Sequence, residues 1–173
     1  VLVYMAFLDR DHGKPITELP GLRDVVQGWC NIGRHVYAWD YNANFRNYVT
    51  PHPNYFVQPE SIQFYHRSGV RGVFVESVIG NAGDFVRMRY YVNSQLMWDP
   101  TQDSQALAKE FLAGYYGAAG PYLLEHLRHV RLVAEPHFIS CYFKTTKSWL
   151  TLDALNASMR LFDQALVAVA EDP

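Results

Sequence analysis

Cysteine is scarce in this chain, which has two such residues, Cys30 and Cys141, among 173. Two cysteines cannot build a disulfide framework, and these two lack the spacing of metal ligands. We therefore expect two ordinary, partly buried thiols. Several catalytic motifs are missing from the sequence too, among them a glycine-rich phosphate loop and a nucleophile elbow. Asp9, Asp11 and His12 alone make a weak metal motif, so we expect no metal and no cofactor.

The net charge of the chain is small, and its apolar runs are short. The formal net charge of -2 removes the electrostatic case for binding nucleic acid. No apolar run approaches the roughly 20 residues of a membrane span, so none is expected. The sequence opens directly on an apolar strand, with no recognisable signal peptide. We therefore expect this chain to be part of a longer protein.

Apolar and aromatic residues, by contrast, are plentiful. Hydrophobic residues make up 49% of the chain and aromatic residues 15%. A chain of this length and composition can form one ordinary domain with a core. Rings in this number are common in sugar-binding sites, although structural packing alone also explains them.

Three apolar segments have the pattern of buried strands, at residues 1–8, 36–40 and 70–76. Segments with helical apolar spacing separate them, and another helix is predicted at about residues 84–96. Strands that alternate with helices form a parallel sheet with right-handed crossovers. The sequence therefore predicts three adjacent parallel strands.

The pattern becomes helical after Trp98, which we expect to lie in the core. Residues 101–170 are predicted to be mainly helical and to add no strand to the sheet. Three βα units are too few for a complete barrel. We therefore predict an α/β fold in which residues 1–100 form the C-terminal part of a (β/α)8 TIM-type barrel and residues 101–173 an α-helical region. The front half of the same barrel would lie upstream of Val1.

Two predicted strands end in carboxylates, Asp40 and Glu76. Parallel strands present their carboxyl ends at one edge of a sheet, where barrel enzymes hold their catalytic groups. We therefore predict that both carboxylates point into one cavity and act as catalytic acid and base. Alternatively, Glu76 forms a salt bridge with an arginine, and Asp40 caps the following loop or hydrogen-bonds a sugar.

The segment of residues 41–55 is too long for an ordinary βα connection. It is rich in tyrosine and asparagine, whose rings and amides suit sugar faces and hydroxyls. We predict that it lines the mouth of a pocket. A self-packed loop is the alternative. The predicted substrate-binding residues are Trp39, Tyr41, Asn44, Tyr48, His52 and Asn54.

Taken together, an ordered set of short motifs resembles a family first catalogued as a bacterial domain of unknown function. Some members of that family were later recognised as glycoside hydrolase family 163, endo-β-N-acetylglucosaminidases. The motifs span roughly residues 37–119: Trp39-Asp40-Tyr41, Asn44-Phe45, Pro51-His52-Pro53-Asn54, Gly69-Val70-Arg71-Gly72-Val73-Phe74, Leu96-Met97-Trp98-Asp99-Pro100 and Tyr115-Tyr116-Gly117-Ala118-Ala119.

This resemblance implies a (β/α)8 barrel followed by helices and hydrolysis between N-acetylglucosamine units of glycans. It also implies a secreted, periplasmic or cell-surface location in a bacterium. One departure concerns the acid: some family members carry it directly after the Gly-Val-Phe strand, where this chain has Val75 and then Glu76. Two other functions stay open, a glucuronidase-like exo-acting hydrolase and a non-catalytic glycan-binding module.

Overall fold

The computed structural model describes residues 1–78, 80 and 82–170. Within them, one sheet contains three parallel strands in chain order: β1 (Leu2–Ala6), β2 (His35–Tyr41) and β3 (Gly72–Glu76). The predicted adjacent parallel strands are confirmed, with slightly different ends.

Six α-helices accompany these strands in the described part of the chain. The first three follow the strands in turn, and the last three come after the sheet and add no strand to it among the described residues, as predicted. None of the described helices has both the length and the apolar character of a membrane span. Their bounds are α1 (Pro20–Ile32), α2 (Val57–Ser68), α3 (Val86–Trp98), α4 (Ser104–Tyr116), α5 (Gly120–Ala134) and α6 (Leu152–Ala168).

One face of the sheet is covered by α1 and α2. Side chains alternate between the two faces of a strand, and Val36 and Ala38 of β2 lie on the covered face. They pack in one apolar cluster with Val26 of α1 and Tyr65 of α2. A second and larger cluster lies among α3, α4 and α5, so the helical region has a core of its own.

The opposite face of the sheet carries aromatic side chains that remain largely in solvent. Tyr4, Trp39 and Phe74 on this face are 50%, 37% and 46% exposed, and Tyr37 lies beside them. We call this surface the open face. Monomeric proteins rarely leave so many large rings uncovered without a functional or packing reason.

Trp98 does not lie in the core as the sequence predicted. It is the last residue of α3 and is 90% exposed. Val92 and Leu96 of α3 lie inward, and Trp98, two residues after Leu96, is about 200° around the helix from it and therefore faces solvent.

The turn that joins α2 to β3 depends on glycine. Gly69 has a φ of 92°, a left-handed conformation that costs other L-residues roughly 1–2 kcal/mol. We expect Gly69→Ala to lower the free energy of unfolding by about that amount in urea denaturation. The control is Gly21→Ala in α1, where an added Cβ meets nothing within 4 Å. Equal urea midpoints for the two variants would contradict this account of the turn.

Candidate functional site at the carboxyl ends of the strands

The carboxylate of Asp40 is fully buried, with 0% of the residue exposed. Arg10 donates to both of its oxygens, at 3.2 Å from Nε to Oδ1 and 3.1 Å from Nη2 to Oδ2. The Tyr65 hydroxyl donates at 2.8 Å, the Gln58 amide at 3.2 Å and the backbone N–H of Tyr41 at 2.9 Å. These five hydrogen bonds occupy both carboxylate oxygens.

This environment keeps Asp40 ionised. Burial alone would raise its pKa, but the charge of Arg10, the neighbouring His12 and the donated hydrogen bonds outweigh burial and lower the pKa. The carboxylate therefore has no proton to donate at neutral pH, and its lone pairs are already engaged. Its geometry fits a buried ion pair that joins β2 to α2 and to the segment after β1.

Asp40 and Glu76 do not share a cavity, so that prediction is wrong. In β2, Asp40 follows the same alternation as Ala38 and faces the helices. Glu76 of β3 pairs in register with Tyr41, one residue later, on the open face. A shift of one residue changes the face of a strand, and the sequence does not reveal that the two strands are offset by one position.

Glu76 is held by the indole of Trp39. The Nε1–H of Trp39 donates to Oε2 of Glu76 at 2.9 Å, in a solvent-accessible position. Glu76 itself is half-buried. Because one oxygen accepts the indole hydrogen bond, the other can face a ligand on the open face. The alternative salt bridge to an arginine is not formed among the described residues.

Aromatic rings continue from Trp39 in two directions. Phe74 packs edge-on against Trp39 at 5.3 Å between centroids, and Tyr41 stacks on Trp39 at 6.3 Å. Phe45 packs edge-on against Tyr41 at 5.9 Å, and Tyr48 against Phe45 at 6.0 Å. Of the predicted binding residues, the structure therefore connects Trp39, Tyr41 and Tyr48 with Glu76. Trp39 is exposed and Tyr48 half-buried, whereas Tyr41 is buried, with 6% of the residue exposed.

The other predicted binding residues are turned into the loop. Asn44 accepts from the backbone N–H of Arg46 at 3.1 Å and donates to the carbonyl of Phe143 at 3.3 Å. Asn54 and His52 are 0% and 1% exposed. The structure therefore does not bring Asn44, His52 and Asn54 to the open face. Their burial fits the self-packed alternative.

A second buried ion pair anchors this loop. Arg89 of α3 lies 2.9 Å from Asp84, and it also donates to the carbonyl of His52 at 2.6 Å. Asp84 accepts from the Tyr55 hydroxyl at 2.6 Å and from the backbone N–H of His52 at 2.9 Å. The loop that follows Tyr41 is thus fixed at its far end by Arg89 of α3 and by Asp84 just before that helix.

One residue near this site was missed from the sequence, Tyr142, and another, Asp9, was considered only as a metal ligand. Tyr142 is 44% exposed and its ring lies 5.6 Å from that of Phe45. It belongs to a segment without periodicity, so no pattern could place it. Asp9 is exposed just beyond β1, and its position after an apolar strand is a signal that could have singled it out.

Asp11 and His12 are used structurally rather than as a metal site. Asp11 accepts from the backbone N–H groups of Gly13 at 2.9 Å and Ile139 at 3.0 Å. The Nε2 of His12 lies 3.1 Å from the carbonyl of Leu8, which can only accept, so Nε2 carries the proton. Within the described ranges, no three His, Cys, Asp or Glu side chains are grouped to hold a metal ion.

The buried histidines His12 and His52 make stability depend on pH. Burial lowers the pKa of His12 to about 4, and burial together with Arg89 lowers that of His52. Between about 6.5 and 4 the unfolded chain therefore binds more protons than the folded one, so the free energy of unfolding falls as pH falls. Each histidine contributes a slope of up to about 1.4 kcal/mol per pH unit.

We expect His52→Leu to flatten this dependence. Urea denaturation of the wild type and the variant at pH 7, 6 and 5 measures the slope for each protein. The two curves should converge as pH falls, since leucine takes up no proton. Parallel curves would show that His52 is not responsible.

Comparison with known proteins gives one match. No curated protein and no solved structure matches the chain significantly. A family model described as "Domain of unknown function (DUF4838)" matches residues 1–128, which include the whole sheet, the loop and α1 to α4. This confirms the coarser part of the resemblance, to a domain of unknown function. The chain therefore belongs to the DUF4838 family.

Proposed function

We propose that this chain is a portion of the catalytic domain of a glycoside hydrolase that acts on β-linked N-acetylglucosamine-containing glycans. One observation carries the proposal: a carboxylate, Glu76, stands at the carboxyl end of a parallel strand and is hydrogen-bonded by Trp39, whose exposed ring packs against the exposed ring of Phe74. Apolar sugar faces stack on such rings, and an oriented carboxylate beside them can act on the glycosidic bond.

The indole hydrogen bond gives Glu76 a definite role. The donor holds one oxygen and so orients the carboxylate, and we assign Glu76 the role of nucleophile or general base. Trp39 would orient it and offer an aromatic face to the sugar. Tyr41, stacked on Trp39, would support that orientation.

Glycoside hydrolysis needs a second carboxyl group as general acid. Asp40 is engaged in its buried ion pair and is not proposed for this role. Asp9, exposed in the turn three residues beyond the end of β1, is our first candidate within this chain. Since β1 and β3 are two strand spacings of about 4.8 Å apart, their ends are roughly 10 Å from each other. Side chains can shorten such a gap to the about 6.5–9.5 Å of an inverting pair.

We also propose that the sheet is part of a TIM-type barrel. The open face is apolar, and among the described residues the outer edges of β1 and β3 have no strand partner. Unpaired edges and exposed rings are unfavourable in water. Further strands that close a barrel would pair both edges and place Tyr4, Tyr37 and Phe74 inside it. The second acid could come from those strands.

The test is hydrolysis by the full-length protein. An N-glycan with an intact chitobiose core is incubated with the protein, and the products are identified by mass spectrometry. Cleavage between the two core N-acetylglucosamine units supports the proposal. A glycan that ends in β-linked glucuronic acid is incubated in parallel, and release of that uronic acid would instead indicate the exo-acting glucuronidase-like function.

A non-catalytic glycan-binding module is the second candidate. It is favoured by the burial of Asp40, which leaves Glu76 as the carboxylate held on the open face among the described residues. Binding of the glycan without any cleavage, together with undiminished binding by Glu76→Gln, would support this function.

A further inference from the structure

The opposite end of the sheet, at the amino ends of the strands, carries a cluster of two arginines and two histidines. Arg34 immediately precedes β2, His35 begins it, Arg71 precedes β3, and His66 lies in the last turn of α2. All four are exposed, and they line one cavity of about 900 Å³. Among the residues that the structure describes, no aspartate or glutamate lines that cavity.

The two arginines are not neutralised by carboxylates in the part of the chain that the structure describes. Neither Arg34 nor Arg71 has an aspartate or glutamate within salt-bridge distance there. Their proximity follows from the sheet itself, because the backbone N–H of Arg71 donates to the carbonyl of Val36 at 2.8 Å. The parallel register of β2 and β3 therefore places Arg34 and Arg71 at the same end of the sheet.

Helix ends offset part of this positive charge. The carboxyl ends of α1 and α2 lie at this edge, and each carries roughly half a negative charge. Arg34 and Arg71 are always charged, and their two positive charges exceed the roughly one negative charge of the two helix ends together. The cavity therefore remains positive at neutral pH, although the whole chain has a formal net charge of -2.

An exposed indole adjoins the cationic cavity. Trp98, Met97 and Pro100 line a neighbouring cavity of about 390 Å³, and Arg71 and His66 line both cavities. Trp98 is 90% exposed. Asp99 follows Trp98, but its carboxylate accepts from the Thr101 hydroxyl at 2.6 Å and backbone N–H at 3.0 Å.

We propose that these adjoining cavities form a second binding site, which takes a sugar carrying a negatively charged substituent. Arg71 and Arg34 would bind the anionic group through charge-assisted hydrogen bonds, and Trp98 would stack on the sugar ring. This groove, defined by Arg34, His35, His66, Arg71 and Trp98, lies at the sheet end opposite Glu76. That the ligand is a sugar rests on the proposed function. That it carries a negative charge is inferred from the two arginines alone.

The test is calorimetric titration of the full-length protein with three probes: N-acetylglucosamine 6-sulfate, N-acetylglucosamine and inorganic sulfate. We expect the sulfated sugar to bind at least about tenfold more tightly than either fragment. Arg71→Gln and Trp98→Ala should each weaken its binding by about tenfold or more. The matched control, Arg160→Gln on the exposed surface of α6, should stay within about twofold of wild type.

The proposal is overturned if the sulfated sugar does not bind, or if either fragment binds as tightly as it does. It is also overturned if Arg71→Gln and Trp98→Ala bind like wild type while remaining folded in a thermal unfolding scan. The binding titration and the hydrolysis assay test different proposals. If the full-length protein binds the sulfated sugar in the groove but does not cleave the glycan, only the proposed function is refuted. Cleavage without groove binding would refute this site alone.

Discussion

Replacing Glu76 with glutamine is expected to lower kcat of the full-length protein on an N-glycan by about 10²–10⁴, the usual effect of losing a catalytic acid or base. Glutamine preserves the size of the side chain and can still accept from the Trp39 indole through its carbonyl oxygen. The loss should therefore appear in kcat, with KM changed little. Initial rates over a range of glycan concentrations measure both constants.

A matched control separates chemistry from surface charge. Glu110 is an exposed glutamate of α4 whose carboxylate accepts from the Tyr91 hydroxyl at 2.8 Å, far along the chain from the sheet. Glu110→Gln should leave kcat at the wild-type value. If Glu76→Gln retains near-normal turnover as well, Glu76 has no part in the mechanism.

Replacing Asp40 with asparagine is expected to destabilise the fold by about 3–5 kcal/mol. The substitution leaves Arg10 buried without its counter-ion and converts two strong acceptors into one acceptor and one donor. Several kcal/mol is a large share of the 5–15 kcal/mol that usually stabilises a domain. Urea denaturation should show a much lower midpoint, or the protein should fail to fold.

The comparison is with an exposed ion pair of the same chain. Arg23 and Asp24 lie 3.0 Å apart with side chains 42% and 66% exposed. Asp24→Asn should cost no more than about 1 kcal/mol. A midpoint for Asp40→Asn equal to that of Asp24→Asn would contradict the structural role of Asp40. If folded Asp40→Asn lost turnover as fully as Glu76→Gln, Asp40 would belong to the mechanism after all.

The sheet could be predicted from the sequence because its signals are local. The runs at β1, β2 and β3 are apolar and β-branched, and helical spacing separates them. That order is enough to require parallel strands. The helices after β3 were predictable for the same reason.

The faces of the strands could not be predicted in the same way. Asp40 and Glu76 look equivalent in the sequence, each directly after an apolar run. Their separation depends on the register of β2 against β3, in which Asp40 pairs with Val75. The partners of Asp40 show the same limit, since Arg10 and Tyr65 come from 30 and 25 residues away. No local sequence pattern predicts contacts between residues so far apart in the chain.

Only part of the loop's arrangement could be predicted from the sequence. Its length indicated that residues 41–55 are not an ordinary βα connection, and Tyr41 at its start lies beside Trp39. The asparagines, however, suit a self-packed loop as well as a sugar, and composition does not distinguish the two. Arg89, which fixes the far end of the loop, lies in a helix whose periodicity gives no hint of that role.

The central claim is that the open face beside Glu76 holds the glycan. It is tested most directly by a crystal structure of full-length Glu76→Gln with an N-glycan oligosaccharide that it cannot cleave. We expect an N-acetylglucosamine ring against Trp39 and the glycosidic oxygen within about 3 Å of residue 76 or of its acid partner. A glycan bound away from Trp39, or an empty open face at saturating glycan, would contradict it.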